Sequence, residues 1–593
     1  MHNLTSRAFL LWVYTRAITL HTFFSRQKRY SHAFSISQQQ EKCSRVLQLL
    51  ALSAYVALSG TARVGFAQHS LTPTSPAHIF YTDLLSGPAT GGETGEGAFV
   101  TLYGIGFGSS KATSKITIGG SEVYSYPVWT DTRVTIQLGR TARTGPLVAQ
   151  IASGSTSNEM PFVVRAGRIY FVSPHGKDEQ NGSFAHPWRT LVVAKNSLRP
   201  GDIAYAMDGV AEGTVEKYDA ALSIERSGEA GAPLAIVAYP GAKVTLGSFD
   251  GPRIALRTPN IDRTSNHWVI AGFSFLGGQE ALDLTASSDW RIIGNDFTCP
   301  KGFGPTGCVQ TERATYVAFL GNTVHDVAQP GTTKAYHGVY FGTDSNHIDV
   351  GWNTIAYVRG CRGLQFHSSP LDKGTGNNQF DLHVHDNIIH DVVCDGINFA
   401  TIDPSKGPVE AYNNLIYNAG TGPDPMDGGA DYACIYVQGG AEYGVPGSGT
   451  VELYNNTLYD CGARGNTDSG GLSLSAGSPQ QRVRIRNNII VLRHNESLLT
   501  PNSTRAPLLS QTNMIWSESK PLTLSPQALG AGTLLKNPLF LDPAHVNFTP
   551  GRGSPAINTG TVVGLAWDLR GFPRPHGAKP DMGAIQNHPD DLK

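Results

Sequence analysis

Charge is scarce in this chain and evenly balanced: 46 Lys and Arg stand against 47 Asp and Glu in 593 residues, a net charge of -1. That excludes a nucleic acid or an anionic membrane surface recognised through a strongly basic face. An anionic ligand would have to be met by local positive charge or by a metal. Long apolar runs are missing too. The run from Val46 to Leu58 falls short of the roughly 20 residues that cross a bilayer. The repeated part of the chain has no helical period, which excludes a helix bundle. Cysteine is sparse, seven in all, and six remain after Cys43, an even number that suits disulfides outside the cytoplasm.

What is plentiful is glycine, 67 residues, and a repeated strand pattern between glycine turns. "RIIGNDF", "VAFLGNTV", "IDVGWNTI", "LHVHDNII", "VEAYNNLI", "VELYNNTL" and "VRIRNNII" place Asn295, Asn322, Asn353, Asn387, Asn414, Asn456 and Asn488 at one shared position. Successive members lie 27, 31, 34, 27, 42 and 32 residues apart, so the loops vary while the unit is kept. Such a period is the mark of a solenoid. Residues three and five before the Asn, such as Phe319 and Val317, alternate with polar ones and predict a strand with one buried face. A second strand recurs upstream as "GVYFGT", "GLQFHS", "GINFAT", "CIYVQG" and "GLSLSA". At its bend the Asn is expected to take a left-handed backbone conformation and to hydrogen-bond its counterparts above and below.

This unit resembles the asparagine ladder of right-handed parallel β-helices, the fold of pectate lyases and many polysaccharide-degrading enzymes. The expected class is all-β, with the solenoid over residues 168–587. An N-terminal segment with a helix from about Trp188 to Ser197 is expected to cap its open end, and a C-terminal segment to close it. Between residues 76 and 166, "SGP", "GFG", "ITIGG", "WTDTRVTIQLG" and "SNEMPFVVR" resemble IPT/TIG domains, which implies a small immunoglobulin-like β-sandwich acting as a spacer or a weak carbohydrate-binding module. Tyr124, Tyr126 and Trp129 are its candidate sugar-stacking aromatics. Residues 1–67 read as a leader, a short basic region and an apolar run followed by small residues with cleavage after Ala67, so the protein is expected to be secreted, extracellular or periplasmic. Cys299 with Cys308, and Cys361 with Cys394, are the expected disulfides, against free buried thiols.

Chemistry should lie where the repeat breaks. His325-Asp326 and His390-Asp391 look like acid-base dyads, but both fall three and four residues after a ladder Asn, where other units carry Tyr417-Asn418 and Tyr459-Asp460. A structural use is expected of them. The upstream strand differs: aligning its copies stacks His337, Arg362 and Asp395 in one outward column, and Tyr340, Gln365, Asn398 and Tyr436 in the next, with His367 and Gln438 beyond. At about 4.8 Å between coils these side chains would form one surface. Insertions at 368–380, 419–432 and 439–450 would wall a groove for an extended chain.

Two chemistries suit that surface. A lyase acting on a uronate needs a base, a proton donor and a cation on the carboxylate; Arg362 supplies the charge, His337 or His367 the base, and Tyr340 or Tyr436 the proton. A glycoside hydrolase needs two carboxyl groups; Asp395 with Asp427 or Asp431 is the candidate pair, and Asp344 a reserve. β-Elimination on an acidic polysaccharide is the preferred reading, hydrolysis the first alternative, and a non-catalytic polysaccharide-binding or adhesin-like protein the second. The sequence lacks the carboxylate cluster of calcium-dependent pectate lyases and the Asp-Pro-His-Asp string of alginate epimerases. No cofactor is required by these motifs; Asp178 and Asn181 offer a turn for calcium, or an ordinary Asx turn. A monomer with a polysaccharide partner is expected.

Overall fold

Apolar residues alternate with polar ones in short runs, so each coil is built of short strands whose inward side chains must be buried on the next coil. The computed structural model describes residues 77–259, 264–368, 378–439, 448–465, 469–475, 481–500, 508–522, 524, 530–588 and 591. The expected leader, and parts of the insertions at 368–380 and 439–450, lie outside the described residues. Three parallel sheets of 12, 11 and 10 strands stack into a right-handed parallel β-helix. The first sheet runs from Ile169–Val172 to Leu508–Gln511, the second from Ala211–Glu212 to Met514–Ser517, and the third from Ala220–Ser223 to Ser497–Leu499. Like side chains stack inside: Phe275, Phe297 and Phe319 lie 4.6 and 5.8 Å apart by ring centroid, and Phe341, Phe366 and Phe399 lie 5.2 and 5.4 Å apart.

The Asn ladder occupies the bend between the first and second sheets. Asn387 is typical: its backbone N–H and its Nδ2 both donate to Asn414 Oδ1, at 3.1 and 2.9 Å, while Nδ2 also donates to Val350 O at 2.9 Å. The ladder continues past Asn488 to Asn513, an eighth rung that "SQTNMI" conceals in the sequence. The left-handed residue is not the ladder Asn but the one before it: Gly294, Gly321, Trp352, Asp386, Asn413, Asn455, Asn487 and Thr512 have φ between 50° and 63°. This division follows from geometry, since the preceding residue turns the chain and leaves the ladder amide free to point along the stack. A second left-handed series, Asp326, Tyr357, Asp391, Asn418 and Asp460, falls four residues after each of five rungs. It accounts for Asp, Asn and Tyr in that column, Asp and Asn tolerating the conformation best.

Two of the three outer faces are covered. Nine strands between His78–Thr82 and Met160–Val164 form a sandwich of a four-stranded and a five-stranded sheet. It does not hang as a spacer: its core is continuous with Tyr205, Val237, Val269, Ile293 and Leu320 on the outer side of the first sheet. The Tyr205 hydroxyl donates to Phe99 O and accepts from Phe99 N–H, both at 2.8 Å. Trp129 donates its indole N–H to Phe107 O and is partly buried, whereas Tyr124 is exposed. The C-terminal segment lies along the second sheet rather than across the end of the coil. Its Phe548, Ala556, Leu569, Met582, Ala584 and Ile585 pack on Leu415, Tyr459 and Ile489, and Arg574 reaches Asn413 Oδ1 at 3.2 Å.

The open N-terminal end is capped by the helix Leu191–Ser197, whose Leu191 and Ala194 join Trp188 in the solenoid core. It starts three residues later than the sequence suggests. Asp178 holds the preceding turn by accepting from the Arg189 and Thr190 backbone N–H groups and the Thr190 hydroxyl, and Asn181 accepts from Ser183 N–H, so both act as turn residues. Disulfides join Cys299 to Cys308, Cys361 to Cys394 and Cys434 to Cys461.

Replacing a central rung strands buried groups on the coils at either side. Asn387→Ala is expected to lower stability by about 2–4 kcal/mol, since each orphaned buried donor or acceptor costs about 1–3 kcal/mol. Urea unfolding of the two proteins measures the difference.

Candidate active site

With two outer faces covered, the outward side of the third sheet is left for a ligand. Its register is continuous. Gln310, Tyr340, Gln365, Asn398, Tyr436 and Ser473 are direct neighbours on successive strands. Beside them run His337, Arg362 and Asp395, linked through backbone bonds from Gly338 N–H to Arg362 O at 2.9 Å and from Gly363 N–H to Asp395 O at 3.0 Å. The structure thus brings together all six residues proposed for catalysis, with Gln365 and Asn398 among them.

Their bonding is uneven, and the unevenness is informative. Arg362 donates through Nε to Asp395 Oδ2 and through Nη1 to Lys334 O, both at 3.3 Å, while Nη2 has no partner among the described residues. Around it lie three buried polar atoms without any hydrogen-bond partner: His337 Nδ1, Gln365 Oε1 and Asn398 Oδ1. Their residues are only 3%, 5% and 1% exposed. Buried polar atoms are normally satisfied, so an unsatisfied group of this kind beside a cation marks a place built for a polar ligand.

Ionisation follows from burial. His337 is held well below the ordinary imidazole range, first by burial and then by the charges of Arg362 and His367. His367 is lowered to about 4 for the same reasons, burial and then Arg362, so both rings are neutral at pH 7. The Tyr340 hydroxyl lies 3.2 Å from His367 Nδ1. Burial raises the Tyr436 phenol and keeps it protonated, with its oxygen 2.9 Å from Ser475 Oγ. Asp395 is shifted upward by burial and by the neighbouring charge of Asp431, against the pull of Arg362. The less charge Asp395 carries, the more of Arg362's positive charge is left to face outward.

Carboxylates separate into different uses. Asp395 is fully buried; its Oδ1 accepts from Ala433 N–H at 3.1 Å and its Oδ2 from Asn398 Nδ2 at 3.0 Å. It positions Arg362 and Asn398 rather than meeting solvent. Asp427 anchors the 419–432 insertion, accepting from Thr333 Oγ1 and Lys334 N–H, both at 2.8 Å, so that this loop folds back beside Arg362. Asp431 accepts from Ser473 Oγ at 3.3 Å. Gln438 follows Tyr436 on its strand, in register with Ser475. Asp344 accepts from Asn378 N–H in a loop.

The polar stripe also extends further than the aligned repeats. Arg257 and Asp283 continue the Gln310 column and form an ion pair of 3.0 Å, and Glu280 lies 3.4 Å from Arg253. Burial raises both carboxyls. "RIALR" and "EALDL" carry the same alternation as the later copies and were the available signal. The His-Asp pairs sit elsewhere, on the second sheet: His390 stacks on Tyr417 at 4.7 Å, and His325 is raised to about 9 by Asp296 and Asp326.

No family model matches this chain, and no curated protein matches it. Among solved structures it is similar to a pectate lyase, Pel9A, at 13% identity over 71% of this chain and 97% of that one, with a TM-score of 0.47. An alginate lyase from Paenibacillus is 17% identical over 58% of this chain and 95% of that one, TM-score 0.31. A family 28 exopolygalacturonase of Yersinia enterocolitica is 11% identical over 78% of this chain and 98% of that one, TM-score 0.33. These likenesses are architectural and assign no chemistry.

The shift at Asp395 has a signed consequence. Its folded value lies above the ordinary 3.8, so the contribution to stability is complete below that pH and is lost as pH rises through the folded value. The melting temperature of Asp395→Asn, relative to the parent, is therefore expected to rise between pH 4 and pH 8; a parallel pair of curves would contradict the assignment.

Proposed function

We propose that the protein is an exported carbohydrate-active enzyme that cleaves a uronate-containing polysaccharide by β-elimination on the outer face of the third sheet. The observation that carries this reading is the Arg362 guanidinium ringed by the unpartnered atoms of His337, Gln365 and Asn398. A uronate carboxylate matches the free Nη2, and sugar hydroxyls supply donors for the three acceptors. Three disulfides support an oxidising compartment. The sandwich is read as an IPT/TIG domain that braces the solenoid.

In this mechanism Arg362 neutralises the carboxylate and so acidifies the adjoining C5–H bond, while the free oxygens of Gln365 and Asn398 accept from sugar hydroxyls. His367, neutral at pH 7, removes that proton; the electron pair forms the C4=C5 double bond as the C4–O bond breaks. Tyr340 gives its proton to the departing oxygen. The 3.2 Å separation of its hydroxyl from His367 suits an elimination in which both protons move on one side of the ring. Tyr436 and Gln438 extend the surface along the chain. Binding of the carboxylate also offsets the cation that depresses His367, strengthening the base when substrate arrives.

Hydrolysis is the second reading, favoured by one observation: the raised carboxyls of Glu280 and Asp283 further along the same face. Asp395 does not serve it, since its two oxygens are taken up by Ala433 N–H, Asn398 and Arg362.

Incubation with a panel of uronate polymers distinguishes these readings. The expected result is ultraviolet absorbance from unsaturated uronate ends, with Arg362→Ala lowering kcat/KM by about 10²–10³-fold. New reducing ends without unsaturation, abolished in Glu280→Gln, would establish hydrolysis instead, and binding without either product a scaffold. For elimination, the acid limb of kcat/KM is expected near pH 4, from His367 in the free enzyme. A limb near the ordinary 6.5 would remove His367 as the base.

A further inference from the structure

At the turn that follows the strand Ile489–Leu492, two carboxylates and an imidazole converge on one gap. A carboxylate oxygen of Asp460, one of Glu496 and a ring nitrogen of His494 all lie within 4.8 Å of one another. We propose that these three residues bind a divalent first-row transition ion, such as Zn²⁺ or Mn²⁺.

The local bonding prepares the gap. Arg493 fixes one oxygen of each carboxylate: its backbone N–H donates to Glu496 Oε1 at 2.6 Å, and its Nη1 donates to Asp460 Oδ2 at 3.1 Å. The other oxygens, Glu496 Oε2 and Asp460 Oδ1, are buried and have no hydrogen-bond partner. Glu496 is only 2% exposed, and a carboxylate oxygen so enclosed is costly to leave unpaired. His494 Nδ1 stands 2.9 Å from Asp460 Oδ1 without making a hydrogen bond to it. Ligand atoms about 3 Å apart are what metal–ligand bonds of about 2.0–2.2 Å produce at neighbouring coordination positions.

Charge points the same way. Three carboxylates, Asp460, Glu496 and Glu518, gather here against two cations, Arg493, which pairs with Asp460 at 3.1 Å and Glu518 at 2.9 Å, and Lys520, which donates to Asn495 O at 2.6 Å. With the imidazole neutral, as ligation requires, the cluster carries an excess of negative charge that a divalent ion balances. Imidazole with carboxylates selects borderline ions over Ca²⁺ and Mg²⁺, which prefer oxygen alone.

The position gives the ion a task. Asp460 follows the strand Thr457–Tyr459 of one coil, whereas His494 and Glu496 belong to the next, and Glu496 adjoins the last strand of the third sheet, Ser497–Leu499. The metal would join two coils beside the Cys434–Cys461 disulfide.

Untagged full-length protein, stripped with a chelator, is titrated calorimetrically with Zn²⁺, Mn²⁺ and Ca²⁺. One equivalent of Zn²⁺ or Mn²⁺ is expected to bind saturably, and Glu496→Gln and His494→Ala each to weaken it by at least about 10-fold. His494 is exposed, so its replacement leaves the fold intact and tests the site even if the Glu496 variant misfolds. Absence of saturable binding, equal binding by the His494 variant, or saturation by Ca²⁺ alone would each overturn the assignment.

Discussion

Everything in this molecule hangs on the amide of one asparagine per coil. A coil of about 30 residues cannot bury its own apolar face, so it exists only against its neighbours. β-Pairing alone would leave the bends with unsatisfied backbone groups at the most buried corner. The ladder amide takes up those groups, accepting from the coil before it and donating to the coil after. Because every rung repeats this arrangement, strands on all three sheets keep their register, and outward side chains form straight columns. The chemistry of the third face is a by-product of that alignment: His337, Arg362 and Asp395 are far apart in sequence and adjacent in space because the rungs do not slip.

Covering is as important as alignment. A bare β-helix offers three equivalent outer faces, and any of them could hold a ligand. Here the sandwich rests on the first sheet and the C-terminal segment on the second. The third is bordered instead by insertions, one of which is tied down through Asp427. Three of its buried polar atoms, His337 Nδ1, Gln365 Oε1 and Asn398 Oδ1, have no hydrogen-bond partner, whereas the covered faces carry contacts such as Arg291 with Thr82 O and Arg574 with Asn413.

The repeat was legible because seven rungs share one pattern, and the outward columns followed once the rungs were aligned. The eighth rung, Asn513, was hidden by the polar "SQT" before it, where earlier units carry a strand residue. The left-handed residue was misplaced by one position, because Asn is itself a common occupant of that conformation. The site was half visible. Residue types and stacking could be read from the strand pattern, but enclosure could not: nothing local distinguishes Asp395, fully buried, from Asp431, which is not. Asp427 is committed to a loop that closes across 93 residues, and the cluster at Asp460 depends on one side chain from one coil and two from the next. Distances of that kind belong to the fold rather than to any stretch of sequence.

The lateral braces also change how the solenoid can come apart. In a stack where each coil touches only its neighbours, structure is lost from the ends inward, one unit at a time, and amide exchange should be graded along the axis. The sandwich contacts strands from Ile169–Val172 through Ser288–Ile293 and beyond, and the C-terminal segment contacts those from Leu415–Ala419 to Met514–Ser517. Each therefore couples coils that do not touch one another. The two braces meet, His78 of the sandwich lying 3.8 Å by ring centroid from Trp567 of the C-terminal segment, and the neighbouring coils that carry Trp352 and Ile388, one against each brace, are joined by the Cys361–Cys394 cross-link. A one-dimensional array is thereby turned into a body that opens cooperatively, with fraying blocked at both ends and the braces joined where they meet.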